Sequence, residues 1–240
     1  MQNPPDGWKP EGWTPTASQT SHRAGRDFTL SEALKTWQWW ALWLLLFLNT
    51  CAGISVISQE APLFQELTKV GAVVAASMVG LASIGNAVGR VFWAWFSDLI
   101  TRRATFFVMF VVQALLFSFF PNIATASLMT IVTFVVLMCY GGGFGTMPAF
   151  AADYFGPKNV GPIYGLMLTA WGFASAFGPL LIARMRETAG SYRGALHLIA
   201  GIMAVSTILP ILVRPPRTRD AGTTKTVLRP STRAVAGARP

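Results

Sequence analysis

GNAVGRVFWAWFSDLITRR, residues Gly85 to Arg103, decides how the rest of the chain is read. It begins inside an apolar run that starts near Gly71 and ends in a short charged turn, and a second apolar run opens at Ala104. Arg90 lies well within the first run, Asp98 stands at its exit, and Arg102 and Arg103 close the turn. An Arg inside a membrane span costs about 2.5–3.5 kcal/mol on insertion scales, so it faces a polar interior and marks a functional position. A basic pair in a short loop between two spans assigns that loop to the cytoplasm.

Composition agrees. The 240 residues are 52% hydrophobic and only 12% charged, against about 25% charged in soluble domains, which places the chain in the membrane class. Spans need about 20 mostly apolar residues each. Six are expected: Trp37–Ser58, Gly71–Phe96, Ala104–Phe120, Ala124–Met147, Gly161–Ala183 and Ala195–Val213. The expected organisation is an all-α membrane protein. Residues 1–36 form a disordered cytoplasmic segment rich in Pro, Gly, Thr and Ser, residues 37–213 the six-helix domain, and residues 214–240 a disordered basic tail.

An even number of spans puts both termini on one side. With that side inside, fourteen basic residues lie in cytoplasmic segments and four (Lys69, Arg184, Arg186, Arg193) lie outside. The positive-inside rule therefore predicts cytoplasmic termini and a multi-pass protein of the cell's inner (plasma) membrane. The net charge of +9 follows from this topology and from attraction to anionic membrane lipid, rather than from nucleic-acid binding. Cys51 and Cys139 fall within spans and His22 and His197 stand apart, so neither a disulfide framework nor a metal or cofactor site is indicated. No acid/base or nucleophile constellation appears, and no enzyme activity is expected.

The opening stretch resembles the loop motif of the major facilitator superfamily: Gly-Arg, three residues, Gly, three residues, Asp, two residues, Gly, then basic residues. Gly89, Arg90, Asp98, Arg102 and Arg103 match it, while Ala94 and Thr101 stand where the family usually has Gly. The resemblance makes these residues a gating motif and sets Asp98 against the positive end of the fifth span near Pro162, as an inside latch. Asn3–Trp13, NPPDGWKPEGW, resembles the linker before the seventh helix in the oxalate/formate antiporter group of that superfamily. The implied fold is the C-terminal six-helix half of a facilitator.

Other features add candidates. Trp37, Trp39, Trp40 and Trp43 read as an aromatic belt, and Asn49–Gln59 as a small, polar segment for close contact or a cavity wall. The residues Glu60–Lys69 read as an external loop. In the second span Ser83, Asn86, Arg90 and Ser97 share a helical face. There Arg90 either meets a substrate or bonds carbonyls and a neighbouring helix. Gly141, Gly142, Gly143 and Gly145 suit close backbone approach and Pro148 a kink or an end, while no Gly-Lys-Ser/Thr follows to make a phosphate loop. Asp153 and Lys158 read as solvated loop charges, and Pro210 as a bend in the last span.

The fifth span, YGLMLTAWGFASAFGP (Tyr164–Pro179), resembles the same antiporter group. Oxalate-transporting members carry a Lys after the Thr-Ala dipeptide; here Thr169-Ala170 is followed by Trp171. The resemblance implies secondary transport of small organic anions, mono- or dicarboxylates such as formate, lactate, pyruvate or oxalate, by alternating access. One cation would favour a monocarboxylate. Arg90, Asn86, Tyr164 and Trp171 are the expected substrate-binding residues. The expected partner is an N-terminal transporter half or a second copy, and the alternative is a truncated fragment without independent activity.

Overall fold

The computed structural model describes residues 27–216 together with Gly12. The linker motif at Asn3–Trp13 and the tail beyond residue 216 otherwise lie outside the described residues. Among the described residues the chain is helical, without strands.

A short helix α1 (Leu30–Leu34) precedes the first span, α2 (Trp37–Thr68). Next come α3 (Ala72–Leu99), then α4 (Arg102–Phe119) with a closing 3₁₀ turn at Phe120–Asn122, then α5 (Ala126–Phe155). The fifth span is broken into α6 (Val160–Met167) and α7 (Thr169–Ala189), and the sixth into α8 (Arg193–Ser206) and α9 (Ile208–Leu212). Six helical segments are long and apolar enough to cross a membrane, and the chain is an integral multi-pass membrane protein.

Several boundaries differ from the sequence reading. Glu60–Lys69 is not an open loop. The first span bends at Gln59 (φ −124°, ψ 15°), passes through Pro62 and continues to Thr68, because Glu60, Leu63 and Phe64 keep facing the core. Lys69, in a left-handed conformation, ends it. The fourth span runs through Pro148 to Phe155, held by the buried Met147, Phe150 and Ala151. Pro210 does interrupt the sixth span: it has no N–H for the carbonyl one turn back, and the helix breaks at Thr207.

Residues 27–36, expected as disordered, are built into the bundle. A Thr29–Glu32 capping box starts α1. The Phe28 amide donates to the Phe155 carbonyl (2.8 Å), and the Asn159 side chain donates to the Phe28 carbonyl (2.8 Å). The aromatic belt is also divided. Trp37 and Trp40 are exposed, whereas Trp39 is buried and Trp43 donates to Thr169 Oγ1 at 2.9 Å.

The second span packs most extensively on the fourth, and the fifth on the first; first and fourth, and third and sixth, also meet. Exchanging the first three spans with the last three leaves this pattern unchanged, as expected for two inverted three-helix units. The first and fourth spans are the central pair, with 56% of the residues in the most apolar stretch of each buried, while the second and fifth, with only 28%, form an open flank.

Glycines set the closest seam. A Cβ on Gly89 would come 2.5 Å from the Met138 Cα, and one on Gly145 would come 3.0 Å from the Arg90 Cα. Only hydrogen at both positions lets the second and fourth backbones touch. Between the first and fourth spans, Asn49–Gln59 serves contact rather than a cavity. Asn49 donates to the Cys139 carbonyl (3.0 Å) and accepts from Gln113 of the third span (2.9 Å), all three fully buried.

Candidate functional site

Arg90 is exposed on the open flank of α3, at the level where Gly145 of α5 touches its backbone. Its guanidinium carbon lies 5.1 Å from the centroid of the Phe144 ring. A cation over an aromatic face gains about 0.5–1 kcal/mol where exposed and more where dry. Phe144 in turn makes edge-on contacts with Tyr140 (5.3 Å) and Trp171 (6.1 Å). The Trp171 indole N–H donates to the Tyr140 hydroxyl at 3.1 Å. That hydroxyl keeps its own proton available for a further acceptor.

The structure thus brings Arg90 and Trp171 around one aromatic wall, while Tyr164, in α6, is half-buried against the hydrophobic core. Among the described residues Arg90 makes no ion pair, which leaves its fork of donors open to an anion of suitable size. Asn86 is placed differently. Its amide oxygen is buried without a partner and lies where a side chain on Gly141 would begin, 2.7 Å from that Cβ position. It belongs to the seam between the second and fourth spans. The expected polar stripe is likewise divided, since Ser83 bonds its own helix at Val79 while Ser97 is buried at the terminal end.

Tyr140 and Phe144 are candidate site residues that the sequence reading passed over. They are spaced one helical turn apart within CYGGGFG, and that i, i+4 aromatic pair was the available signal.

The charged turn forms a second cluster, at the end of the bundle that carries the termini. Arg102 pairs with Asp98 (2.5 Å) and with Asp153 of the fourth span (3.2 Å), and donates to Ser97 Oγ. Asp98 is thus paired within its own turn. Asp153, read as a solvated loop charge, is the partner that ties this turn to the fourth span. Arg103 donates to the carbonyls of Pro210 (3.0 Å) and Ile211, answering unsatisfied acceptors at the end of the sixth span. Gly89, the remaining motif residue, acts through the close approach to Met138.

A profile of the major facilitator superfamily matches residues 42–236. The oxalate:formate antiporter of Oxalobacter formigenes is 28% identical over 155 residues, 64% of this chain and 37% of that protein. The apicoplast pyruvate carrier 1 of Toxoplasma gondii is 28% identical over 212 residues, 85% of this chain and 39% of that protein. An uncharacterized MFS-type transporter of Escherichia coli strain K12 is 28% identical over 155 residues, 62% of this chain and 38% of that protein. The chain spans roughly two fifths of the length of these curated relatives.

Proposed function

The chain belongs to the major facilitator superfamily, and on that premise we propose that it transports small organic anions by alternating access, with Arg90 as the counter-ion of a carboxylate. The observation that carries this reading is Arg90 itself: an exposed cation on an apolar flank, set over Phe144 beside Tyr140 and Trp171. The names of two relatives, an oxalate:formate antiporter and a pyruvate carrier, support the same substrate class.

A charge-assisted hydrogen bond from Arg90 contributes on the order of 1.5–3 kcal/mol, and the Tyr140 hydroxyl is a neutral second donor. One cation with one hydroxyl fits a monocarboxylate such as formate, lactate or pyruvate better than a dicarboxylate, because Trp171 stands where oxalate-transporting members carry Lys. The second and fifth spans present the open flank. A six-helix partner, an N-terminal half or a second copy, closes the other side of the cavity, and the termini face the cytoplasm.

The test uses the chain with a complementary half in liposomes, comparing uptake of labelled formate, lactate and oxalate. Arg90→Gln abolishes uptake at equal insertion, Arg90→Lys weakens it, and Trp171→Lys shifts preference toward oxalate. Normal uptake by Arg90→Gln would make Arg90 structural and end this reading.

A further inference from the structure

At the end of the bundle away from the termini, a recess of about 460 Å³ opens that the site around Arg90 does not use. Sites that hold small ligands run to about 300–1,000 Å³. Three parts of the chain line it: the close of the first span at Glu66 and Lys69, the turn into the fourth span at Asn122, and the turn into the sixth at Gly190, Ser191 and Arg193.

The polar side chains of this lining favour one sign of ligand. Glu66 is its one carboxylate, and both of its oxygens are taken. Oε2 meets the Arg186 guanidinium (3.2 Å), and Oε1 accepts from the Tyr192 amide (3.2 Å). The remaining side chains can all donate. Lys69 and Arg193 are exposed cations, and among the described residues neither makes an ion pair. The Ser191 hydroxyl accepts from the Arg193 amide (3.2 Å), which leaves its own proton for a further acceptor. The Asn122 amide brings N–H groups as well. With Glu66 and Arg186 cancelling, the charge left around the recess is that of Lys69 and Arg193. The fourth span begins just after this turn, and its cap residue Thr125 makes no side-chain hydrogen bond. The partial positive charge of that helix end therefore adds to the two cations.

Backbone geometry singles out Lys69 independently. It is the one non-glycine residue with a positive φ among the described residues (φ 58°, ψ 22°). Helices that close in this left-handed conformation usually do so on Gly, because a Cβ is unfavourable there. Gly190, in the same lining, closes the fifth span in that usual way (φ 66°). At Lys69 the ammonium is kept where glycine would suit the backbone better. A strained residue that retains its side chain points to a use for that side chain.

We propose that this recess binds a phosphate group, held by Lys69 and Arg193 and hydrogen-bonded by Ser191 and Asn122. A carboxylate presents two oxygens in one plane, whereas a phosphate presents its oxygens tetrahedrally, which suits donors that arrive from three separate turns. The volume exceeds what a bare ion needs, so the phosphate carries a group of about the size of glycerol. Two sources present that chemistry: the headgroup of an anionic phospholipid in the adjoining leaflet, and a soluble phosphate ester. The site does not rest on the transport reading. Gly145, which touches the Arg90 backbone, lies about 28 Å along the fourth span from its start at Ala126.

Native mass spectrometry of the full chain, released from micelles holding equal phosphatidylglycerol and phosphatidylcholine, reads the lipid source. Calorimetric titration of the chain in phosphatidylcholine nanodiscs with glycerol 3-phosphate reads the soluble source. At least one of the two binds, and Lys69→Gly and Arg193→Gln each weaken it by about tenfold or more. Arg184→Gln leaves it unchanged, since Arg184 is an exposed cation of the same end that does not line the recess. Lys69→Gly carries its own control for folding: it relieves the left-handed backbone, so its unfolding midpoint rises while its binding falls. Retention of phosphatidylglycerol alone assigns the lipid headgroup, heat from glycerol 3-phosphate alone assigns a soluble ester, and binding of both assigns the phosphate itself. Binding of neither overturns the site, and so does binding that survives when Lys69→Gly and Arg193→Gln are combined.

Discussion

Replacing Gly145 with Ala tests the seam that carries Arg90. The added Cβ would lie 2.9 Å from the carbonyl carbon of Arg90 and 3.0 Å from its Cα. Carbon atoms rest at about 3.5–4.0 Å, so the second and fourth spans must separate by roughly 0.5–1 Å. The obstructing atoms are backbone and have no rotamer to escape into. Overpacking of this kind costs about 1–3 kcal/mol, while Ala in place of helical Gly returns about 0.5–1 kcal/mol. The expected net loss is therefore at most about 2.5 kcal/mol, and relative to a Gly→Ala change in open space the deficit is about 1–3 kcal/mol. Reversible unfolding in mixed micelles measures it. Gly80→Ala and Gly172→Ala serve as controls, because nothing lies within 4 Å of either Cβ position. Formate affinity of the folded protein should fall as well, since the displaced backbone is that of Arg90. If Gly145→Ala is as stable as the two controls, the helices are not in backbone contact and the placement of Arg90 over Phe144 loses its support.

The charged turn and the topology can be tested in the same way. A double-mutant cycle on Arg102→Ala and Asp153→Asn should give a coupling of about 1 kcal/mol, because both side chains are mostly shielded, whereas Asp98→Asn matters less with its side chain 66% exposed. A coupling indistinguishable from zero removes the tie between the turn and the fourth span. In a background with Cys51 and Cys139 replaced by Ala, Cys at Lys69 should label from outside intact cells with an impermeant thiol reagent. Cys at Lys158 should label only after the membrane is opened, and labelling of Lys158 from outside reverses the orientation.

The fold class was legible because it depends on local composition. Six apolar stretches separated by polar turns predict six helices wherever their side chains finally pack. Errors gathered where a local signal was overruled by contact. The Pro62 region was read as loop, but the buried faces of Glu60, Leu63 and Phe64 carry the helix onward. Residues 27–36 read as linker, but the turn after the fourth span supplies Phe155 and Asn159 to hold them.

The candidate site was half legible. Arg90 announced itself through the cost of a charge within a span, and Trp171 through its place after Thr169-Ala170. Tyr140, Phe144 and Asp153 did not: an i, i+4 aromatic pair says that two rings share a helical face but not what that face meets, and nothing near Asp153 in the chain marks it. Tyr140 meets Trp171 across 31 residues, and Arg102 meets Asp153 across 51. Such pairs depend on the rotation and height of one helix against another. The same holds for Arg90 and Phe144 across the glycine seam between the second and fourth spans, and at each such contact a shift of one residue turns a helix by about 100° and carries the side chain away from its partner. Sequence alone determined that six helices cross the membrane with an Arg in the second. Tertiary structure decided what that Arg faces, because helix register is a property of two surfaces in contact and is written in neither segment separately.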